Sequence, residues 1–162
     1  MSELAYLSLG SNIGERSDHL REAIEQIRAH GRVLAVSSFY ETEPVEVADQ
    51  DWFLNCALSL ETSESPAQLM SSLLAIERQM GRRRVQKKGP RTIDIDILLF
   101  AETVVNSPEV AIPHPAMATR RFVLEPLAEI APDARHPVLK KSVKELLDGL
   151  PPGQTVRRVG AN

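Results

Sequence analysis

Residues 93–100, Ile93-Asp94-Ile95-Asp96-Ile97-Leu98-Leu99-Phe100, begin as a strict alternation of apolar and acidic side chains and end as an unbroken apolar run. Successive side chains of a strand point to opposite faces, so Asp94 and Asp96 share one face while Ile93, Ile95 and Ile97 share the other. The run over 97–100 has no polar face at all, which is the pattern of a strand covered on both sides. The chain is therefore expected to build a layered fold around a central strand whose mouth carries two carboxylates. These would stand roughly 6–7 Å apart at about 3.3 Å of rise per residue. Acids so placed are costly to desolvate unless paired or bound to a cation. Two oxygen donors with no His or Cys beside them suit Mg2+, which takes carboxylates, waters and substrate phosphate oxygens. Asp-x-Asp alone is a common pattern, and its plain alternative is a half-solvated strand.

The segment just upstream supplies the counter-charge. Arg82, Arg83, Arg84, Lys87, Lys88 and Arg91 place six cations and no acid in residues 82–91, while the rest of the chain has 13 cations against 22 acids. A net charge of −3 thus divides into +6 on one short stretch and −9 elsewhere. Such a stretch can be a solvated loop or a patch for nucleic-acid phosphate. Its position against the paired acids favours a small polyphosphate, whose oxygens arginine grips in bidentate fashion.

A chain of 162 residues is most simply one domain over 1–162, large enough to bury a core without disulfide or metal staples. Cys56 is the single cysteine, set in an apolar strand where an inert buried thiol is expected. The first residues lack a basic region followed by an apolar one, no apolar run approaches membrane-spanning length, and a cytoplasmic protein is expected. The acidic balance, with a pI near 5.8, argues against bulk nucleic-acid binding.

Residues 6–9 read as a strand, followed by the turn Gly10-Ser11-Asn12-Ile13-Gly14. Ser17 is placed to cap a helix with the stripe Leu20, Ala23, Ile24 and Ile27, and Gly31 to end it. Strands follow over 33–40 and 52–60, joined by a loop over 41–51. Ser65-Pro66-Ala67-Gln68 combines a capping serine, proline at the first helical position and glutamine at the third, ahead of the stripe Leu69, Leu73, Ile76 and Met80, with Gly81 as the stop. Beyond residue 100 come a short strand near 103–105, His114 between two prolines, and helices over 122–130 and 142–147. The order strand, helix, strand, strand, helix, strand is that of an α+β fold with a ferredoxin-like βαββαβ core, a mainly antiparallel sheet and helices on both faces.

The stretch Gly89-Pro90-Arg91-Thr92-Ile93-Asp94-Ile95-Asp96-Ile97-Leu98 resembles the signature of the 6-hydroxymethyl-7,8-dihydropterin pyrophosphokinase family. Leu9-Gly10-Ser11-Asn12, Ser37-Ser38-Phe39-Tyr40-Glu41-Thr42 with Pro44, Phe53-Leu54-Asn55, Ile76-Glu77, Gly81-Arg82 and Pro113-His114 with Arg120 and Phe122 carry the resemblance through most of the chain. It implies an enzyme of folate biosynthesis that transfers diphosphate from ATP to the pterin hydroxymethyl oxygen and releases AMP. Two Mg2+ ions would be held by Asp94 and Asp96, with Arg82 and Arg91 as catalytic partners on the phosphates. The resemblance further implies pterin contacts from Thr42, Val45, Phe53, Asn55, Asp94 and Phe122. Contacts to ATP would come from Glu77, Arg82, Arg84, Arg91, Ile97, His114 and Arg120. Partners are then small molecules, without nucleic acid or membrane, and a monomer is expected. Lys88, Leu74, Glu109, Ala111 and Pro115 stand where some members carry other groups near ATP.

Asn55 has a chemical argument of its own. It interrupts the apolar sequence Trp52-Phe53-Leu54-Asn55-Cys56-Ala57-Leu58, where a buried amide needs partners for its donors and its acceptor. A pterin's pyrimidine edge offers them, and so does backbone at a sheet irregularity. Two other functions fit parts of the pattern: a Mg2+-dependent kinase or nucleotidyltransferase with another acceptor, and an RNA-binding ferredoxin-like module. The latter is disfavoured by 4% aromatic content, which leaves little for a stacking platform.

Overall fold

The computed structural model of the chain describes residues 2–43, 52–81, 92–153 and 155–159. The elements run β1 (Glu3–Ser11), α1 (Arg16–Ile27), β2 (Arg32–Val36), β3 (Tyr40–Thr42), β4 (Phe53–Thr62), α2 (Pro66–Met80) and β5 (Asp94–Phe100). After them come β6 (Val105–Asn106), β7 (Ala111–Ile112), α3 (Arg121–Ile130), β8 (Arg135–His136), β9 (Lys141–Ser142), α4 (Val143–Asp148) and β10 (Val156–Arg158). The main sheet has the order β10-β3-β4-β1-β5, with β2 also on β4, and every one of its pairings is antiparallel.

Alternation along the strands sorts side chains to two cores. Ala5, Leu7 and Leu9 of β1, Leu54, Cys56, Leu58 and Leu60 of β4, and Ile95 and Ile97 of β5 pack against Leu20, Ala23, Ile24 and Ile27 of α1 and Leu69, Leu73 and Ile76 of α2. On the opposite face Ala57, Leu98 and Leu99 meet Val123, Leu124 and Leu127 of α3 and Val143 and Leu146 of α4. Helices therefore cover both faces.

The apolar run over 97–100 has a specific cause. The β1–β5 register slips between Tyr6 and Leu7, which pair with Leu99 and Ile97, so Leu98 is the extra residue of a bulge. Leu98 and Leu99 then both serve the α3 core, and Phe100 returns to the α1–α2 core. Coverage on both faces is as expected, but the strand is not central: among the described residues β5 pairs only with β1, at the end of the sheet.

Ser65 is the N-cap of α2, its side chain accepting from the Gln68 amide while Gln68 reaches back, with proline in the first turn and Gly81 at the C-cap. Ser142 and Glu145 repeat the capping box at α4. Ser17 does not cap α1: Glu15 is the N-cap and makes no side-chain bond there, so Ser17 lies inside the first turn. The strand expected over 33–40 is two strands, since residues 37–39 leave the ladder, and Glu41 and Thr42 belong to β3 rather than to a loop. Residues 44–51 of that expected loop lie outside the described residues. Among the described residues no helix is long and apolar enough to cross a membrane.

Candidate active site

Three neighbouring strands place a row of residues on the α3 face of the sheet. Asn55 of β4 stands opposite Gly10 of β1, and Gly10 stands opposite Asp94 of β5. One step along, Ser8 lies between Ala57 and Asp96. Gly10 is what gives the row its hollow. A Cβ there would sit 2.7 Å from Asn55 Nδ2 and 3.5 Å from Phe53 Cδ1, so the amide of Asn55 lies over the space a side chain would fill. Asn55 is 4% exposed, and its Oδ1 accepts the Thr42 hydroxyl at 2.7 Å. That bond fixes the amide plane and turns its nitrogen over Gly10.

Asp94 and Asp96 are half-buried, while Ile93, Ile95 and Ile97 between and around them are buried. The free edge of β5 is held from two sides. Glu77 of α2 accepts the Ile95 amide at 2.6 Å, between the two acids, and the His114 amide donates to the Leu98 carbonyl at 3.0 Å. These contacts occupy an edge that would otherwise offer unpaired backbone groups. The second one brings His114 Nε2 to 3.9 Å from Asp96 Oδ2. That is beyond hydrogen-bond reach. Burial, then the positive field of Arg120, lowers the His114 pKa against the opposing pull of Asp94. The ring is consequently neutral at pH 7, with Nδ1 accepting the Ala116 amide at 3.1 Å and leaving Nε2–H on the Asp96 side.

Arg120 is the N-cap of α3, and its guanidinium lies 5.6 Å from the centre of the Phe122 ring. Phe122 and Phe53, both half-buried, are on the same side of the sheet. Glu129, farther along α3, accepts Tyr40 Oη at 2.6 Å, the Ser38 amide and hydroxyl at 3.0 and 3.1 Å, and Arg158 at 3.3 Å. Burial opposes its ionisation, but those donors outweigh it and hold its pKa below the usual value.

Of the residues singled out from the sequence, Thr42, Phe53, Asn55, Asp94, Asp96, His114, Arg120 and Phe122 gather on this face. Glu77 approaches from the other layer and engages backbone. Ile97 is 1% exposed within the α1–α2 core, so its side chain is unavailable to a ligand and only its backbone could serve. Val45, Arg82, Arg84 and Arg91 lie outside the described residues. In the sequence Gly10 belongs to a turn and a motif without marking a site by itself. Its signal was glycine where β-branched or aromatic residues are preferred, which marks a close approach. Cys56 is the buried thiol expected, its pKa pushed up to about 12 by desolvation.

The donor set suits Mg2+. Among the described residues no group of three or more His, Cys, Asp and Glu is arranged to hold a metal. Two half-buried carboxylates on one strand face match the kind of incomplete oxygen site that Mg2+ completes with waters and substrate phosphates.

Fold and site define a small mixed α/β enzyme that, at one end of an antiparallel sheet, sets paired carboxylates on one strand and a buried amide two strands away. The chain belongs to the 7,8-dihydro-6-hydroxymethylpterin-pyrophosphokinase (HPPK) family, whose model matches residues 6–132. It is 46% identical over 132 residues to the 2-amino-4-hydroxy-6-hydroxymethyldihydropteridine pyrophosphokinase of Bacillus subtilis, covering 80% of this chain and 79% of that one. It is 43% identical over 152 residues to the folic acid synthesis protein fol1 of Schizosaccharomyces pombe, covering 93% of this chain but 21% of that much longer protein. A crystal structure of Plasmodium falciparum HPPK-DHPS shares the fold with a TM-score of 0.71 at 15% identity, over 91% of this chain and 45% of that one.

Proposed function

We propose that this chain transfers the terminal diphosphoryl group of ATP to the hydroxymethyl oxygen of 6-hydroxymethyl-7,8-dihydropterin in folate biosynthesis. The alcohol oxygen bonds to the β-phosphorus, the bond from that phosphorus to the α-phosphate oxygen breaks, AMP leaves and the alcohol loses its proton. The observation that carries this reading is the Asn55–Gly10–Asp94 row, which sets an amide for a pyrimidine edge across one glycine from the acid that would face the phosphates. Family membership and the four-fifths overlap with the Bacillus subtilis relative support it.

Asp94 and Asp96 would hold two Mg2+ ions, which when bound neutralise the phosphate oxygens. Thr42 locks the Asn55 amide for the pterin, and Phe53 and Phe122 would stack on its ring. His114 and Arg120 would contact the nucleotide, with neutral His114 donating from Nε2. Arg82, Arg84 and Arg91 would supply phosphate contacts, Arg82 and Arg91 stabilising charge during transfer, and Val45 a backbone contact to the pterin.

We read the sheet as a ferredoxin-like βαββαβ core in which β2 and β3 together form the second strand, since both pair with β4 and β4 joins β1. One domain, a monomer and a cytoplasmic setting complete the reading; the free buried thiol of Cys56 fits a reducing compartment. Incubation with ATP, Mg2+ and the hydroxymethyl pterin should give AMP and pterin diphosphate in equal amounts. Stoichiometric ADP, or AMP without a pterin product, would reject it.

A further inference from the structure

We infer that Arg157, on the C-terminal strand β10, is a positioning residue for the pterin side of the site, acting through Glu41 and Trp52 on the Thr42–Asn55 pair. This rests on the pterin reading above. The family model ends its match at residue 132, so β10 and its contacts lie outside the part of the chain that the match accounts for.

The register places Val156, Arg157 and Arg158 opposite Thr42, Glu41 and Tyr40. Side chains alternate across the sheet, so Thr42 and Tyr40 turn to one face while Glu41 and Arg157 stand together on the other. Arg157 meets Glu41 Oε1 at 2.5 Å, and Arg16 meets Oε2 at 2.9 Å. Arg16 also donates to the Trp52 carbonyl at 2.6 Å, and the Arg157 guanidinium lies 5.3 Å from the centre of the Trp52 ring. Glu43 donates its amide to the Thr155 carbonyl at 3.2 Å, continuing the pairing. Two arginines thus share one carboxylate and one tryptophan, tying the end of β3 to the start of β4. Arg157, then Arg16, lowers the Glu41 pKa by hydrogen bonding, so the carboxylate is ionised throughout the working range.

What hangs on this tie is Thr42. Strand β3 has three residues, too few to hold its own geometry, and without β10 it would be an open edge. Thr42 pairs with Phe53, next to Trp52, and donates to Asn55 at 2.7 Å. The Arg157 side chain is 65% exposed, so its ion pair adds little to global stability and its loss should leave the fold intact. Its planar fork matches carboxylate and ring together, which an ammonium cannot do.

Steady-state kinetics, with fluorescence titration of the pterin and thermal melting, test the role in full-length Arg157→Ala and Arg157→Lys proteins. Arg157→Ala should raise the pterin KM and dissociation constant about three- to fivefold. The kcat and the KM for ATP should hold, and Arg157→Lys should recover only part of the loss. An unchanged pterin KM, equal changes for ATP and pterin, a fall in kcat alone, or full recovery with lysine would each overturn the inference. Wild-type protein that binds no pterin would overturn the functional reading beneath it. Wild type and variant that bind pterin equally would overturn this inference alone.

Discussion

Facing α1 and α2, the sheet presents Ala5, Leu7, Leu9, Leu54, Cys56, Leu58, Leu60, Ile95 and Ile97, none more than 3% exposed. Facing α3 and α4, the same strands carry Asn55, Gly10 and Asp94 in one row, Ala57, Ser8 and Asp96 in the next, and Leu98 and Leu99 beyond them. The difference is one of cover. Helices α1 and α2 cover the face they meet with apolar side chains, whereas the α3 and α4 core takes in Ala57, Leu98 and Leu99 and the row around Gly10 is polar with Phe53 as its apolar neighbour. One face is thus a core in which volume sets the energetics. The other is half core and half candidate site, where Asn55 is buried on a hydrogen bond from Thr42 while Asp94 and Asp96 stay half-buried.

That contrast predicts opposite signatures for substitutions on the two faces. Asp94→Ala or Asp96→Ala should lower kcat/KM by about a thousandfold or more, the several kcal/mol a bound metal supplies to charge stabilisation, with an unchanged melting curve. Near-normal turnover in either variant would remove that residue from the site. Leu7→Ala, one position from Ser8 but on the sealed face, should cost about 2–5 kcal/mol of stability in denaturant unfolding. The activity of its folded fraction should stay normal. A Leu7 variant that folds as stably as wild type would show that the sealed face relaxes more easily than its burial implies.

Gly10→Ala lies between these extremes because the position belongs to the site yet is fixed by packing. The new methyl would meet Asn55 Nδ2 at 2.7 Å, so the amide or the strand must move. A loss of about 1–3 kcal/mol is expected from overpacking, accompanied by weaker pterin binding at unchanged ATP affinity. Normal pterin titration with normal stability would show that the hollow beside Asn55 has no recognition role.

The sealed face was the easier one to read from sequence. Apolar stripes in α1 and α2, the capping box at Ser65 and the Gly81 stop report local periodicity and local hydrogen bonding, and each is present in the structure. The Asp94–Asp96 pair was legible for the same reason, since alternation along one strand needs no partner to interpret. What could not be read depends on register between distant strands. Nothing in Leu98 itself signals a bulge, and nothing near Val156 signals that it will pair with Thr42. The same limit placed β5 at the centre of the sheet: double coverage looks alike in a central strand and in an end strand held at its edge by Glu77 and His114. Ile97 entered the site by motif position, although its alternation with Asp96 already directs its side chain to the opposite core.

The smallest expected effect concerns acid stability, and it too should divide by face. The α1–α2 core is apolar, whereas α3 is tied to the 37–40 segment and β10 through the Glu129 carboxylate. Because the folded pKa of Glu129 lies below the 4.5 of an unperturbed glutamate, its contribution is fully present above that pH and is lost as pH falls through the folded value. Lowered histidines act in a different window. Burial depresses His136, and burial with Arg120 depresses His114, so each begins to destabilise the fold as pH drops below 6.5, where the unfolded chain binds the proton first. Melting curves taken from pH 7 downward should therefore fall in two stages. Glu129→Gln should flatten only the lower one, by on the order of 1 kcal/mol after screening by solvent. An identical pH profile in that variant would mean that the Tyr40 and Ser38 donors bind a neutral acceptor equally well, and that the α3 face is held by packing, as the opposite face is.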